Sequence, residues 1–203
     1  TRDLGQQDYN DFYLGFANGM LWPLCHYRPG QFDFNKTALE GYTRVNQLFA
    51  EALLPLLRPD DLIWVHDYHF LLMATALRRL GVINRIGFFL HIPFPVPEVL
   101  TVLPRHRRLF RDFLDYDLIG LQTEGDVHAL SRYLREELNL KLSKEKFGIT
   151  VQSTNTKIAA FPISIETNEF NRLAQRALRS AETKRLKENL RERRLIIGVD
   201  RID

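Results

Sequence analysis

Four short runs carry the residue types that could bind or transform a polar ligand: His66-Asp67-Tyr68-His69, His91-Ile92-Pro93-Phe94-Pro95, Gln122-Thr123, and an aromatic-rich stretch containing Tyr13 and Trp22. The first three stand at the ends of short apolar runs. In an open parallel sheet, ligands gather beyond the carboxyl ends of the strands, where loops diverge and helix N-termini offer N–H groups. Three polar strand ends in succession therefore predict the floor of one crevice. Asp67 has two readings, the N-cap of a following helix or a carboxylate that accepts hydrogen bonds from sugar hydroxyls. His91 reads as a ligand contact or as a strand-end histidine bonded to a backbone carbonyl, and spacing by itself favours the latter. The prolines after it hold the loop extended, which suits a preorganised site and a simple turn alike. Around Tyr13 and Trp22 lie Phe12, Phe16, Leu21, Tyr27, Phe32 and Phe34. Most of these are expected to be core, although Trp and Tyr also stack on sugar faces and offer a polar edge.

Other chemistries find little support. His66 and His69 are three apart, but no third ligand has suitable spacing and the pair straddles a strand end, so no metal site is expected there. Asp115-Tyr116-Asp117 matches the DxD pattern that holds a divalent ion in one large group of glycosyltransferases; Asp117, however, begins a strand, at the end opposite the crevice. No nucleophile elbow, GxGxxG or P-loop is present. Acids and bases are interspersed to a net charge of +3, so neither nucleic acid nor an anionic membrane is implied. Cys25 is the single cysteine, which rules out an internal disulfide and fits a reducing, cytoplasmic compartment. The longest apolar stretch, Ile86–Pro104, contains His91, Glu98 and prolines, so it cannot span a bilayer. No signal-peptide pattern opens the chain.

The elements that must position these groups are legible from periodicity. Ala38, Leu39, Tyr42, Val45, Phe49, Leu53 and Leu56 recur at helical spacing. A strand over Leu62–Val65, a helix over Tyr68–Leu80 and a strand over Arg85–Ile92 follow. A Pro-rich loop and helical segments then run through Leu114, before a third strand at Asp117–Leu121. Thr123-Glu124-Gly125-Asp126 forms a capping box that opens a helix over Asp126–Leu138. Strands apolar on both faces and alternating with helices predict an α/β, doubly wound parallel sheet. A shorter strand pair is expected at Ile149–Gln152 and Thr156–Phe161. Asn168–Arg194 reads as a long helical region with a solvated, charge-mixed surface. Leu195–Val199 reads as a core strand that would lead into a further helix. A second domain is therefore expected to begin near Ile165 and to be cut short; Thr1 in place of Met also points to a piece of a longer polypeptide.

Tyr13-Leu-Gly-Phe-Ala-Asn-Gly-Met-Leu-Trp22-Pro23, Trp64-Val-His-Asp-Tyr-His69, Gly87-Phe-Phe-Leu-His-Ile-Pro-Phe-Pro95 and Asp115-Tyr-Asp-Leu-Ile-Gly-Leu-Gln-Thr123 are very similar to segments of the trehalose-6-phosphate synthase family, glycosyltransferase family 20. The resemblance runs from about Asp8 to Asp203. It implies the two-Rossmann-domain GT-B fold, with residues 1–164 as the acceptor-binding domain and 165–203 as linker helix and first strand of the donor-binding domain. It implies retaining transfer of glucose from UDP-glucose to glucose 6-phosphate, with no metal or other cofactor. By position, Tyr13 would contact the acceptor phosphate, Asp67 the acceptor hydroxyls, and Trp22 the wall of the acceptor pocket. His91 would face the transferred glucose, and Arg201 would bind the donor diphosphate.

Departures from the family pattern qualify these expectations. The glycine-rich loop and an acceptor-binding arginine would precede Thr1, and a donor-binding lysine would follow Asp203. The resemblance thus implies negligible activity for these residues alone and a homo-oligomer for the full-length protein. Two other readings share the motifs: a glucosylglycerol-phosphate synthase or related enzyme with another acceptor, and a non-catalytic regulatory subunit. The intact Tyr13, Trp22, Asp67, His91 and Arg201 speak against the second.

Overall fold

The computed structural model describes residues 3–191, 193 and 195–199. Two compact units emerge, residues 1–162 and 163–203.

The first unit opens with a continuous helical stretch: α1 (Gln6–Tyr9), a wide π-helical segment (Asn10–Leu21) and α2 (Trp22–Cys25). Long π segments are rare and cluster at functional sites. Here the Trp22 N–H donates to the Ala17 carbonyl, five residues back. Phe12, Phe16, Met20 and Leu21 are buried, while Tyr13 is 39% exposed. The π segment lies against α3 (Lys36–Leu53), whose N-cap is Asn35, its side chain accepting from the Thr37 N–H at 2.9 Å. Gly41 permits that contact, because a Cβ there would fall 2.2 Å from Cβ of Asp11. The expected stripe on α3 holds for Ala38, Tyr42 and Val45, which are fully buried. Leu56 departs from it and is 73% exposed. Pro55 has no N–H, and the helix tightens into a 3-10 turn at Leu54–Leu56 that turns Leu56 outward.

The sheet has the order β1-β2-β3-β6-β5-β4. Its parallel part consists of β1 (Ile63–His66), β2 (Ile86–Phe89), β3 (Leu118–Leu121) and β6 (Lys157–Ala160). Helices α4 (Met73–Arg79), α5 (Pro97–Leu100), α6 (His106–Asp112) and α7 (Glu124–Glu136) lie between these strands in the chain. Two differences from an all-parallel, doubly covered sheet appear. β4 (Leu142–Lys144) and β5 (Ile149–Val151) form an antiparallel pair, and β5 is antiparallel to β6. β1, one of the two edge strands among the described residues, alternates: Ile63 and Val65 are buried, whereas Trp64 and His66 are exposed. The capping box at Thr123 and Asp126 forms as expected.

The helix expected at Tyr68–Leu80 divides into a 3-10 turn, Tyr68–Phe70, and α4. Tertiary hydrogen bonds claim the backbone groups that a continuous helix would use. The Tyr42 hydroxyl donates to the Tyr68 carbonyl at 2.6 Å and accepts from the Leu71 N–H at 2.9 Å. Asn46 Nδ2 donates to the His69 carbonyl at 3.1 Å.

The second unit holds α8 (Thr167–Ala177) and α9 (Ala181–Leu190), neither with a buried residue. The long helical region expected here divides at Ser180, whose hydroxyl accepts from the Thr183 N–H and starts α9 afresh. Leu195–Val199, expected as a core strand, has no regular structure, and Ile196 and Val199 are more than nine-tenths exposed. An apolar run becomes a strand only by pairing, and among the described residues none pairs with it. Arg201 lies outside the described residues.

Candidate active site

Strand alternation and register assemble the site. In β1, Trp64 and His66 share a face, and their parallel partners in β2 are Gly87 and Phe89; His91, two residues beyond Phe89, continues along the same face. His66 Nδ1 lies 2.9 Å from His91 Nε2. The two ring centroids are 5.2 Å apart with planes 29° from parallel, the arrangement of two imidazoles meeting edge to edge through ring nitrogens. Trp64 flanks His66 at 4.9 Å, and the edge of Phe89 meets His91 at 4.8 Å.

Asp67 occupies the tip of β1 with φ 72° and ψ 165°. That region is populated almost only by glycine and costs on the order of 1–3 kcal/mol for another residue. Three bonds hold it there. Its N–H donates to the Phe89 carbonyl at 2.8 Å. Its Oδ1 accepts from the Tyr68 N–H at 3.0 Å and from the His91 N–H at 3.3 Å. Asp67 therefore does cap the following turn, and the same oxygen ties the tip of β1 to the loop after β2. Its other oxygen has no partner among the described residues, and the residue is only half-buried.

The third strand end joins through Asp126. Its Oδ1 accepts from the Phe94 N–H at 2.9 Å, while Oδ2 accepts from the Thr123 N–H and hydroxyl. The Pro-rich loop is thus pinned to the start of α7. From the other side, the Tyr27 hydroxyl accepts from the Val96 N–H at 3.1 Å.

The π segment supplies the aromatic wall. Tyr13 stacks on His69, centroids 5.4 Å apart and planes 11° from parallel, and on Tyr9 at 5.3 Å. The Tyr68 hydroxyl donates to Asn18 Oδ1 at 2.7 Å. Burial lowers the pKa of His69 below its ordinary 6.5, against the pull of the Asp67 carboxylate. Its Nε2 is buried without a partner among the described residues. Burial also pushes the Cys25 thiol up to about 12, with the Asp67 and Asp126 carboxylates adding to the shift.

The structure thus brings together Asp67, His91 and, through His69, Tyr13. Trp22 has its own cluster at the far end of the π segment, stacked on His26 at 4.0 Å with the Arg28 guanidinium 5.6 Å above its ring. Sequence reasoning placed His66 among the polar strand ends and weighed it as a metal ligand but gave it no partner in the site, and it weighed Asp126 only as a cap. Strand register, which no sequence signal reports, brings the two histidines into contact. Asp117 accepts from the Ile86 N–H at 2.6 Å and from Arg78 at 2.9 Å, so the DxD segment is bound into the opposite end of the sheet. No group of three or more His, Cys, Asp or Glu among the described residues could hold a metal ion. No helix among them is long and apolar enough to cross a membrane.

Known proteins resemble this chain over nearly its whole length. Trehalose-6-phosphate synthase of Sinorhizobium fredii (strain NBRC 101917 / NGR234) is 41% identical over 201 residues, which cover 99% of this chain and 43% of that protein. The synthase of Citrobacter koseri is 44% identical over 205 residues, 99% of this chain and 42% of that protein. The chain spans less than half the length of these curated relatives. Among solved structures, the alpha,alpha-trehalose-phosphate synthase (UDP-forming) of Burkholderia xenovorans in complex with glucose-6-phosphate superposes with a TM-score of 0.86 at 41% identity, covering 93% of this chain and 42% of that one. The E. coli protein bound with UDP-2-fluoro glucose gives 0.81 at 42% identity, over 92% of this chain and 41% of that one. These likenesses place the α/β sheet in the Rossmann-like GT-B class. The family model for glycosyltransferase family 20 matches residues 3–203, and the chain belongs to that family.

Proposed function

We propose that the full-length protein transfers glucose from UDP-glucose to glucose 6-phosphate with retention, releasing trehalose 6-phosphate and UDP. In this reading residues 1–164 bind the acceptor and residues 165–203 begin the donor-binding domain. The observation that carries it is the Asp67 carboxylate, held in a glycine-only backbone conformation at the joined tips of β1 and β2. A fold tolerates such strain where the side chain must face a ligand. Complexes of relatives with glucose-6-phosphate and with UDP-2-fluoro glucose support the substrate pair.

Asp67 accepts hydrogen bonds from acceptor hydroxyls, and Tyr13 meets the acceptor phosphate. Trp22 lines the acceptor pocket. His91 faces the transferred glucose. Arg201 binds the donor diphosphate, where a guanidinium can meet developing charge through two parallel hydrogen bonds. That cationic role makes a metal unnecessary. The enzyme works as a cytoplasmic homo-oligomer. The 203 residues alone are inactive, since of the groups assigned here only Arg201 addresses the diphosphate.

The test is UDP release by the full-length enzyme from UDP-glucose, with and without EDTA, offering glucose 6-phosphate and glycerol 3-phosphate in parallel. Turnover with glucose 6-phosphate that EDTA does not affect is expected. Preference for glycerol 3-phosphate would replace the acceptor, and an absence of turnover with any acceptor would favour a regulatory subunit.

A further inference from the structure

We propose that His66 is a positioning residue that sets the tautomer of His91, holding its Nε2–H in a hydrogen bond and leaving Nδ1 as an acceptor for a hydroxyl of the transferred sugar. The inference rests on the functional reading above for the sugar and for its place beside His91, and on geometry alone for the tautomer.

The hydrogen bond couples the protonation of the two rings. With His66 Nδ1 and His91 Nε2 at 2.9 Å, one nitrogen must carry the proton and the other must offer a lone pair. Two neutral arrangements satisfy this. If His66 Nδ1–H donates, both rings are Nδ1–H tautomers, the form that a free imidazole side chain disfavours. If His91 Nε2–H donates, both rings are in their intrinsically preferred Nε2–H form. The second arrangement is therefore selected, and the bond strengthens the preference of each ring. His91 Nδ1 is then an unprotonated acceptor, and it is the one ring nitrogen of His91 left for a ligand. A sugar hydroxyl, which can donate, matches it; an ether or carbonyl oxygen does not.

The surroundings hold the pair in register. Trp64 flanks His66, Phe89 meets His91, and Asp67 Oδ1 accepts from the His91 backbone N–H. The His91 ring is thereby fixed in position by its backbone and in protonation by its neighbour. Groups that orient a catalytic histidine through its second nitrogen act in this way elsewhere.

The experiment compares His66→Ala and His66→Asn in the full-length enzyme. The asparagine amide oxygen occupies nearly the place of Nδ1 and can accept in its stead. Histidine-labelled protein is read by 15N–1H correlation of the ring nitrogens, with the His91 signals assigned from a His91→Gln spectrum. Wild type and His66→Asn should show protonated Nε2 and bare Nδ1 at His91, whereas His66→Ala should show both nitrogens averaged by tautomer exchange. Kinetically, His66→Ala should raise KM for UDP-glucose about tenfold, one hydrogen bond to the sugar, and leave KM for glucose 6-phosphate within about twofold. His66→Asn should recover most of the loss. A protonated Nδ1 at His91 in wild type, ring signals unaltered by His66→Ala, or an asparagine variant as poor as alanine would overturn the proposal. Because the ring signals need no substrate, they decide the tautomer even if UDP-glucose proves to be the wrong donor, an outcome that would count against the functional reading alone.

Discussion

Asp67 concentrates the tension between stability and function in one residue. Its backbone conformation suits glycine, yet the chain places there a carboxylate whose Oδ1 accepts from two backbone N–H groups. Asp67→Gly removes strain on the order of 1–3 kcal/mol but adds glycine's unfolded-state entropy, roughly 0.5–1 kcal/mol, and loses both hydrogen bonds. The net change in stability is expected to be small, a shift in Tm of a few degrees at most by calorimetry. Activity should behave differently. Loss of a charged acceptor is worth about 1.5–3 kcal/mol, so KM for the acceptor should rise about 10- to 100-fold. A variant that melts far below wild type would show that the carboxylate is there for the fold.

At the scale of elements, the site depends on the short turn that replaces the first part of the expected helix after β1. Tyr42, fully buried on α3, donates to the Tyr68 carbonyl and accepts from the Leu71 N–H, and so holds the turn that carries Asp67 and His69. Tyr42→Phe keeps the packing and removes both hydrogen bonds of the buried hydroxyl, a cost of about 1–3 kcal/mol. Urea denaturation of the full-length protein should show that loss at an unchanged m-value, and acceptor KM should rise because the turn loosens. Unchanged stability would mean that the turn finds other partners.

For the molecule as a whole, partly and fully buried titratable groups define a window of stability. Burial holds His69 and His106 below their ordinary pKa of 6.5, in both cases as the largest cause. As pH falls below 6.5 the unfolded chain takes up these protons first, so their contribution is complete above that value and is lost as pH drops toward the folded pKa values. Cys25 acts at the other end: its thiol, ordinarily near 9.0 and about 12 when folded, contributes fully below 9.0 and progressively less above it. Tm should therefore peak between these limits and fall on both sides. The acid arm should flatten in His69→Gln if His69 is its main source, and an unaltered acid arm would assign it elsewhere.

Much of this protein was decided within its local sequence. Helical periodicity in α3, the apolar runs of β1, β2 and β3, and the Thr123–Asp126 capping box each depend on residues a few positions apart, and the ordered motifs sufficed to name a family. The polar strand tips were legible for the same reason, since an apolar run followed by histidine and aspartate is a local pattern. Tertiary structure decided what depends on partners distant in the chain. It divided the helix after Asp67, because Tyr42 and Asn46 take its backbone groups, and it gave Leu195–Val199 no strand partner among the described residues. It also joined His66 to His91 and Asp126 to the Phe94 N–H across 25 and 32 residues. Hydrogen bonds of that reach follow from strand register and loop path, which packing selects for the molecule as a whole and no run of neighbouring residues encodes.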